Sequence, residues 1–187
     1  RVGRLVAEAA GRNLTPVTLE LGGKSPAIVD RSADLNEAAT RIAYGKLLNA
    51  GQTCIAPDYA LVPADSADEF ATRLQDHIQR MIGTDPGNAD YTSIISETHY
   101  AQLEQLVADA AAKGARIMQP AKADELALKS QRKFPPTIDV GATPDMRVMQ
   151  DEICGPVRPV LGYATAADAI AFVNGRDRPL ALYWFGK

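Results

Sequence analysis

The feature that most constrains this chain is an alternation of two patterns. Short, largely apolar runs of strand length (Ala27-Ile28-Val29, Tyr59-Ala60-Leu61-Val62, Val157-Arg158-Pro159-Val160-Leu161) are separated by longer stretches with apolar residues every three or four positions. Glycine and proline punctuate the joints. Strands joined through helices require crossover connections, and such connections favour parallel pairing with the sheet covered by helices. The expected fold is therefore α/β, with a mostly parallel sheet and flanking helices.

Followed along the chain, residues Val2 to Arg12 read as a helix, Thr15-Pro16 breaks it, and Val17-Thr18-Leu19-Glu20-Leu21 reads as a strand ended by Gly22-Gly23. Asp34 is placed to cap the next helix, with Glu37 as its reciprocal partner and Leu35, Ala38, Ala39, Ile42 and Leu47 as the apolar stripe. That helix ends at Asn49-Ala50-Gly51, so Cys54 falls in a helix-to-strand connection. Ser66 and Glu69 read as a second capping box, before a helix carrying Phe70, Leu74, Ile78 and Met81 and closed by Gly83, with a turn at Asp85-Pro86-Gly87. A helix near Thr98 to Lys113, with Leu103, Leu106, Val107 and Ala110 inward, stops at Gly114 before the apolar segment Ala115 to Met118. The pattern weakens from Pro120 to Lys133 and resumes at Thr137-Ile138, after which come the strand at Val157 to Leu161 and a helix near Ala166 to Asn174. Leu180 to Phe185 reads as a buried strand. A buried strand two residues before the end, and a start at Arg1-Val2-Gly3-Arg4 without Met, lead us to expect a piece of a longer polypeptide, truncated at both ends.

Composition narrows the function classes. With 187 residues, 46% hydrophobic and 23% charged, the chain can bury a sizeable core. Lys and Arg number 20 against 23 Asp and Glu, a formal charge of −3 with no local basic cluster. Neither nucleic acid nor an anionic membrane surface is an expected partner. No apolar run approaches the roughly 18 residues of a membrane span. Two cysteines, Cys54 and Cys154, do not make a disulfide framework, and they suggest a reducing, cytoplasmic setting. Neither lies in a metal-ligand spacing, so no metal is expected.

Three positions could carry chemistry. Cys54 sits in Gly51-Gln52-Thr53-Cys54-Ile55-Ala56-Pro57-Asp58, where small residues let a thiol approach a substrate and free backbone N–H groups can hold an oxyanion. The alternative is a buried, inert thiol. Glu20, before two glycines, reads as a general base at a strand end or as an exposed strand glutamate satisfied by water. Glu152, beside Cys154-Gly155-Pro156, reads as a contact for a ligand hydroxyl or as a turn residue. Lys24 reads as structural or surface, and Cys154 as packing. His77 and His99 read as ordinary helix histidines, and a Cys-His hydrolase requires one of them to fold back to Cys54.

Taken together, Leu19-Glu20-Leu21-Gly22-Gly23-Lys24-Ser25-Pro26, Gly51-Gln52-Thr53-Cys54 and Glu152-Ile153-Cys154-Gly155-Pro156-Val157 resemble the aldehyde dehydrogenase superfamily over all 187 residues. The flanking text, including Arg178-Pro179-Leu180-Ala181-Leu182-Tyr183, is similar to the class 3 branch, and within it to the bacterial coniferyl aldehyde dehydrogenases. The resemblance implies NAD(P)-dependent oxidation of an aldehyde, aromatic and coniferyl-like or medium-chain aliphatic, to the acid. It makes Cys54 the nucleophile, Glu20 the base that activates the hydrolytic water and Glu152 the acceptor for the nicotinamide ribose. It also makes Gly22 a lining of the nicotinamide pocket and Gly3 the close of the loop that meets the cofactor phosphate. Cys154 departs from the family, which places Phe there. The choice between NAD and NADP lies in residues the family carries upstream. The resemblance further implies that residues 1–22 are the tail of a cofactor-binding domain, that 23–187 are most of a catalytic domain, and that the whole-length enzyme is a homodimer.

Two other classes stay open on the sequence: a Cys54-dependent esterase or hydrolase, and a non-catalytic remnant module. The 187 residues alone are expected to be poorly stable and inactive.

Overall fold

The computed structural model describes residues 2–83, 87–119 and 125–187. Its elements run α1 (Val2–Arg12), β1 (Pro26–Val29), α2 (Leu35–Leu47), β2 (Tyr59–Pro63), α3 (Ala67–Ile82) and α4 (Glu97–Ala112), then β3 (Arg116–Met118), α5 (Glu125–Ser130), β4 (Thr137–Val140), β5 (Val157–Tyr163), α6 (Ala166–Asn174) and β6 (Tyr183–Phe185). The six strands form one sheet in the order β3-β4-β5-β2-β1-β6. Only the β3–β4 pair is antiparallel, as the alternation predicts. Every residue of β1, β2 and β4 is buried. Central parallel strands are covered on both faces, which is why these segments read as continuous apolar runs. Helices α2 and α3 pack on each other, and α3 packs on β4 and β5. Helix α6 lies on β5, its Phe172 ring edge-on to Tyr59 at 5.9 Å.

Local signals decide the ends of several elements. Asp34 Oδ1 accepts from the N–H groups of Asn36 (2.8 Å) and Glu37 (3.0 Å), capping α2. Glu37 does not return the bond; its carboxylate accepts from Arg41 at 2.8 and 3.0 Å. A full reciprocal box forms instead at α6, between Thr165 and Asp168.

The structure corrects four further expectations. Val17 to Leu21 forms no strand: among the described residues it pairs with none, and Val17, Leu19 and Leu21 are exposed. Ser66 makes no capping bond, because a 3₁₀ turn over Ala64–Ser66 already brings it into helical backbone, and Glu69 turns to Arg73. The final strand is only Tyr183–Phe185, at the sheet edge, and Trp184 is 47% exposed rather than buried. The weakly patterned stretch contains a helix, α5. Gly83 closes α3 at φ +74, while residues 85 and 86 of the expected turn lie outside the described residues.

Candidate active site

Each of the three candidate side chains precedes one of three adjacent parallel strands. Glu20 lies six residues before the first residue of β1, Cys54 five before that of β2, and Glu152 five before that of β5. The sheet order β5-β2-β1 makes these strands neighbours, so all three segments enter at the amino end of the same sheet. Doubly wound sheets usually bind ligands at the opposite, carboxyl end.

The Cys54 segment is set by unusual backbone. After α2 the chain makes a short 3₁₀ turn in which Asn49 and Ala50 both have φ of 52° and Gly51 follows at 74°. Left-handed backbone disfavours Asn and Ala by roughly 1 kcal/mol each, and such strain persists only where the surroundings enforce it. Gln52 supplies part of that enforcement: its Nε2 donates to Asn49 O (3.2 Å) and Ser93 O (3.1 Å), and its Oε1 accepts from the Ile95 N–H (2.9 Å). Tyr183 Oη donates to Ile55 O at 2.6 Å. On the turn so held, Cys54 is exposed rather than packed among the described residues.

Glycines bring the segments into contact. A Cβ on Gly51 would stand 2.3 Å from Gly155 O, so only glycine lets the Cys54 loop meet the Glu152 segment this closely. A Cβ on Gly22 would stand 2.1 Å from Glu152 Oε1 and 2.5 Å from Oε2, so the Glu152 carboxylate rests on Gly22. Gly3 lies in the first turn of α1 rather than in a loop, and is buried with its Cα facing the Leu21 side chain. Gly3, Leu21-Gly22 and Glu152 thus succeed one another in space. Glu20 is exposed on the extended segment that leads into Gly22.

Cys154 is half-buried with φ +46, and burial, then the Glu152 charge, push its thiol up to about 11, so it stays protonated. Both imidazoles have partners away from Cys54. His77 Nε2 lies 2.9 Å from Asn36 Oδ1 and 3.0 Å from Thr40 Oγ1, and His99 Nε2 lies 2.8 Å from Cys154 O. Among the described residues, no group of three His, Cys, Asp or Glu side chains could hold a metal, and no helix is long and apolar enough to cross a membrane.

Lys24 is structural, as expected. Its ammonium donates to Val148 O (2.6 Å), Asp151 O (2.8 Å) and Asp58 Oδ2 (3.2 Å). Burial lowers its pKa and Asp58 opposes the shift. Sequence reasoning missed Asp58, as well as the buried charges Lys46, Asp139 and Arg158. Lys46 Nζ stands 4.0 Å from Asp58 Oδ1, and burial pushes Lys46 down to about 7. Burial likewise raises Asp139 to about 7 and lowers Arg158 to about 9. The signal for Asp139 and Arg158 was present: a charge inside a run buried on both faces has no solvent side to turn to. Asp58 gave no such signal, because its partners are distant in sequence.

Fold and site define a parallel α/β domain that presents an exposed thiol and two carboxylates from the amino end of its sheet, an arrangement suited to covalent thiol chemistry. Residues 1–187 match the aldehyde dehydrogenase family, and the chain belongs to it. It is 50% identical over 186 residues to a probable coniferyl aldehyde dehydrogenase of Caulobacter vibrioides, covering 99% of this chain and 38% of that protein. It also resembles the substrate-bound state of Staphylococcus aureus AldH, with a TM-score of 0.91 and 40% identity over 100% of this chain and 39% of that one. A betaine aldehyde dehydrogenase of S. aureus solved with NAD+ superposes with a TM-score of 0.85 at 33% identity, covering 100% of this chain and 37% of that one. The chain thus spans about two fifths of the length of these relatives.

Proposed function

We propose that the whole-length polypeptide, carrying these residues at the length of its relatives, oxidises an aldehyde to its carboxylic acid with NAD or NADP. The observation that carries this reading is the meeting of the three segments: Gly51 against Gly155 O, Gly22 against the Glu152 carboxylate, and the Asp58 N–H donating to Ser25 O at 2.7 Å. In a member of the aldehyde dehydrogenase family, that assembly gives each residue a role.

Cys54 Sγ attacks the aldehyde carbon, and its own backbone N–H helps hold the oxyanion of the thiohemiacetal. A bound nicotinamide supplies the hydride acceptor. Glu20 takes a proton from water as that water attacks the resulting thioester, releasing the acid and restoring the thiol. Glu152 fits the ribose of the cofactor: it is an exposed carboxylate, able to accept two hydroxyl hydrogen bonds, seated against a glycine that leaves room for it. Gly22 lines that seat, and Gly3 supports it through Leu21. At position 154 a thiol replaces the Phe of the family, so this side of the ribose is less filled. A cleft of about 690 Å³, lined by Thr53, Ile55, Tyr44, Leu48, Leu182 and Trp184 but not by Cys54 itself, lies beside the thiol loop. Its apolar character suits an aromatic, coniferyl-like or medium-chain aliphatic aldehyde.

Residues 1–22 belong to the cofactor-binding domain in this reading and 23–187 to the catalytic domain. In support, α1 and the stretch after it add no strand to the sheet. Two unpaired cysteines support a cytoplasmic location, and the family resemblance supports a homodimer. The test is nicotinamide reduction by the whole-length enzyme with an aromatic aldehyde. Reduction should vanish in Cys54→Ala and fall to a single-turnover burst with accumulated acyl-enzyme in Glu20→Gln. Cys54-dependent ester hydrolysis without any reduction would replace this reading with the hydrolase one.

A further inference from the structure

We propose that Lys24 and Asp58 form a positioning pair that fixes the Glu152 segment against Gly22 and thereby sets cofactor affinity. The inference rests on the reading of Glu152 as the ribose acceptor. A lysine ammonium has three N–H donors, and here all three are engaged: by Val148 O, Asp151 O and Asp58 Oδ2. Two of these acceptors lie 124 and 127 positions away in sequence, on the segment leading directly into Glu152. Lys24 itself follows Gly22-Gly23, so one side chain joins both halves of the Glu152 seat. Asp58 completes the joint. Its Oδ2 also accepts from the Ile153 N–H (3.4 Å), on the other side of Glu152, while its own N–H holds Ser25 O (2.7 Å).

The pair is shielded, with 12% of the Lys24 side chain exposed and 4% of the Asp58 side chain, so its charge-assisted bonds are little screened by solvent. The exposed turn that carries Cys54 is held by different atoms: Gln52 bonds to Asn49, Ser93 and Ile95, and Tyr183 bonds to Ile55. Loosening the Lys24–Asp58 pair should therefore move Glu152 more than the thiol, whose loop meets that segment only through the Gly51–Gly155 contact. Lys24 and Asp58 touch neither substrate nor cofactor in this account; they act through the placement of Glu152.

The experiment uses the whole-length enzyme with Lys24→Met, with Asp58→Asn as the gentler second variant and Lys129→Met as a surface control. Four quantities are read: the dissociation constant for NAD+ by titration, the alkylation rate of Cys54 by iodoacetamide, hydrogen exchange at the Ile153 amide, and the unfolding midpoint. The expected result for Lys24→Met is a loss of NAD+ affinity of about tenfold or more, faster exchange at Ile153, and Cys54 alkylation within about twofold of the parent. Asp58→Asn should shift the same readouts in the same direction by less. Unchanged affinity in Lys24→Met overturns the proposal. So does a parallel change in Cys54 alkylation together with a lower unfolding midpoint, which would mark a general structural role. If Glu152→Gln leaves affinity intact while Lys24→Met reduces it, the route through Glu152 is wrong. Loss of aldehyde oxidation in Cys54→Ala is read separately and bears only on the proposed function.

Discussion

Replacing Gly22 with Ala tests whether the glycine exists to seat the Glu152 carboxylate. The added Cβ would stand 2.1 and 2.5 Å from the two carboxylate oxygens, whereas an ordinary non-bonded contact is about 3.5 Å. The carboxylate must therefore retreat by about 1 Å. Gly22 does not occupy left-handed backbone, and the obstructing atoms are the end of a flexible side chain, so fold stability should change by less than about 0.5 kcal/mol. Affinity should respond far more, since a misplacement of about 1 Å in a binding or catalytic group can cost up to about a hundredfold, or about 2.7 kcal/mol. The assay is titration of the whole-length enzyme with NAD+ and NADP+. Gly11→Ala serves as control, because a Cβ there meets nothing within 4 Å and a helical Gly→Ala change is neutral to slightly stabilising. If Gly22 acts through Glu152, adding Gly22→Ala to Glu152→Gln should weaken binding no further. Unchanged affinity in the single variant, or full additivity in the double, would refute the reasoning.

Two further outcomes follow from backbone and burial. Gly51 and Gly141 share a left-handed φ, of 74° and 78°, but a Cβ at Gly51 meets Gly155 O at 2.3 Å while one at Gly141 meets nothing within 4 Å. Gly141→Ala should therefore lose about 1–2 kcal/mol, and Gly51→Ala a further 1–3 kcal/mol or so; equal urea midpoints would show that the contact is slack. Burial raises the Asp139 carboxyl to about 7 from its ordinary value near 3.8. In that window the folded chain keeps a proton the unfolded chain has released, so stability falls as pH rises from about 4 to 7. Asp139→Asn should flatten this slope and gain about 2–4 kcal/mol relative to the parent at pH 8, with little gain below pH 4. A parallel pH profile for the two proteins would disprove the assignment.

Elements fixed by local chemistry were legible in the sequence. The apolar stripe and the Asp34 cap specify α2, Gly83 ends α3, and β1, β2 and β5 read as apolar runs because parallel strands are covered on both faces. The failures share a cause in what lies beyond the local segment. Val17 to Leu21 has the composition of a strand but pairs with no strand among the described residues, and a strand is defined by its partner. Glu69 was free to complete a cap at Ser66, but the exposed guanidinium of Arg73, four residues on, takes its carboxylate instead. The site divides in the same way. Cys54, Glu20 and Glu152 were visible as motifs, whereas the role of Lys24 and Asp58 depends on bonds across 34 to 127 positions, and no local pattern reports those.

The Gly51–Gly155 contact also sets a timetable for synthesis. Cys54 leaves the ribosome about 100 residues before Gly155, so at roughly 5–20 residues per second its loop waits on the order of 5–20 seconds for the carbonyl that packs against it. During that interval β2, which ends up between β1 and β5, has an open flank, and Ala50, with the cysteine close behind it, has no partner to hold its left-handed backbone. The nascent chain therefore carries the Cys54 thiol before the structure that shapes its surroundings exists. Conditions that slow translation across this stretch extend the period in which that thiol meets oxidants or stray electrophiles without its finished setting.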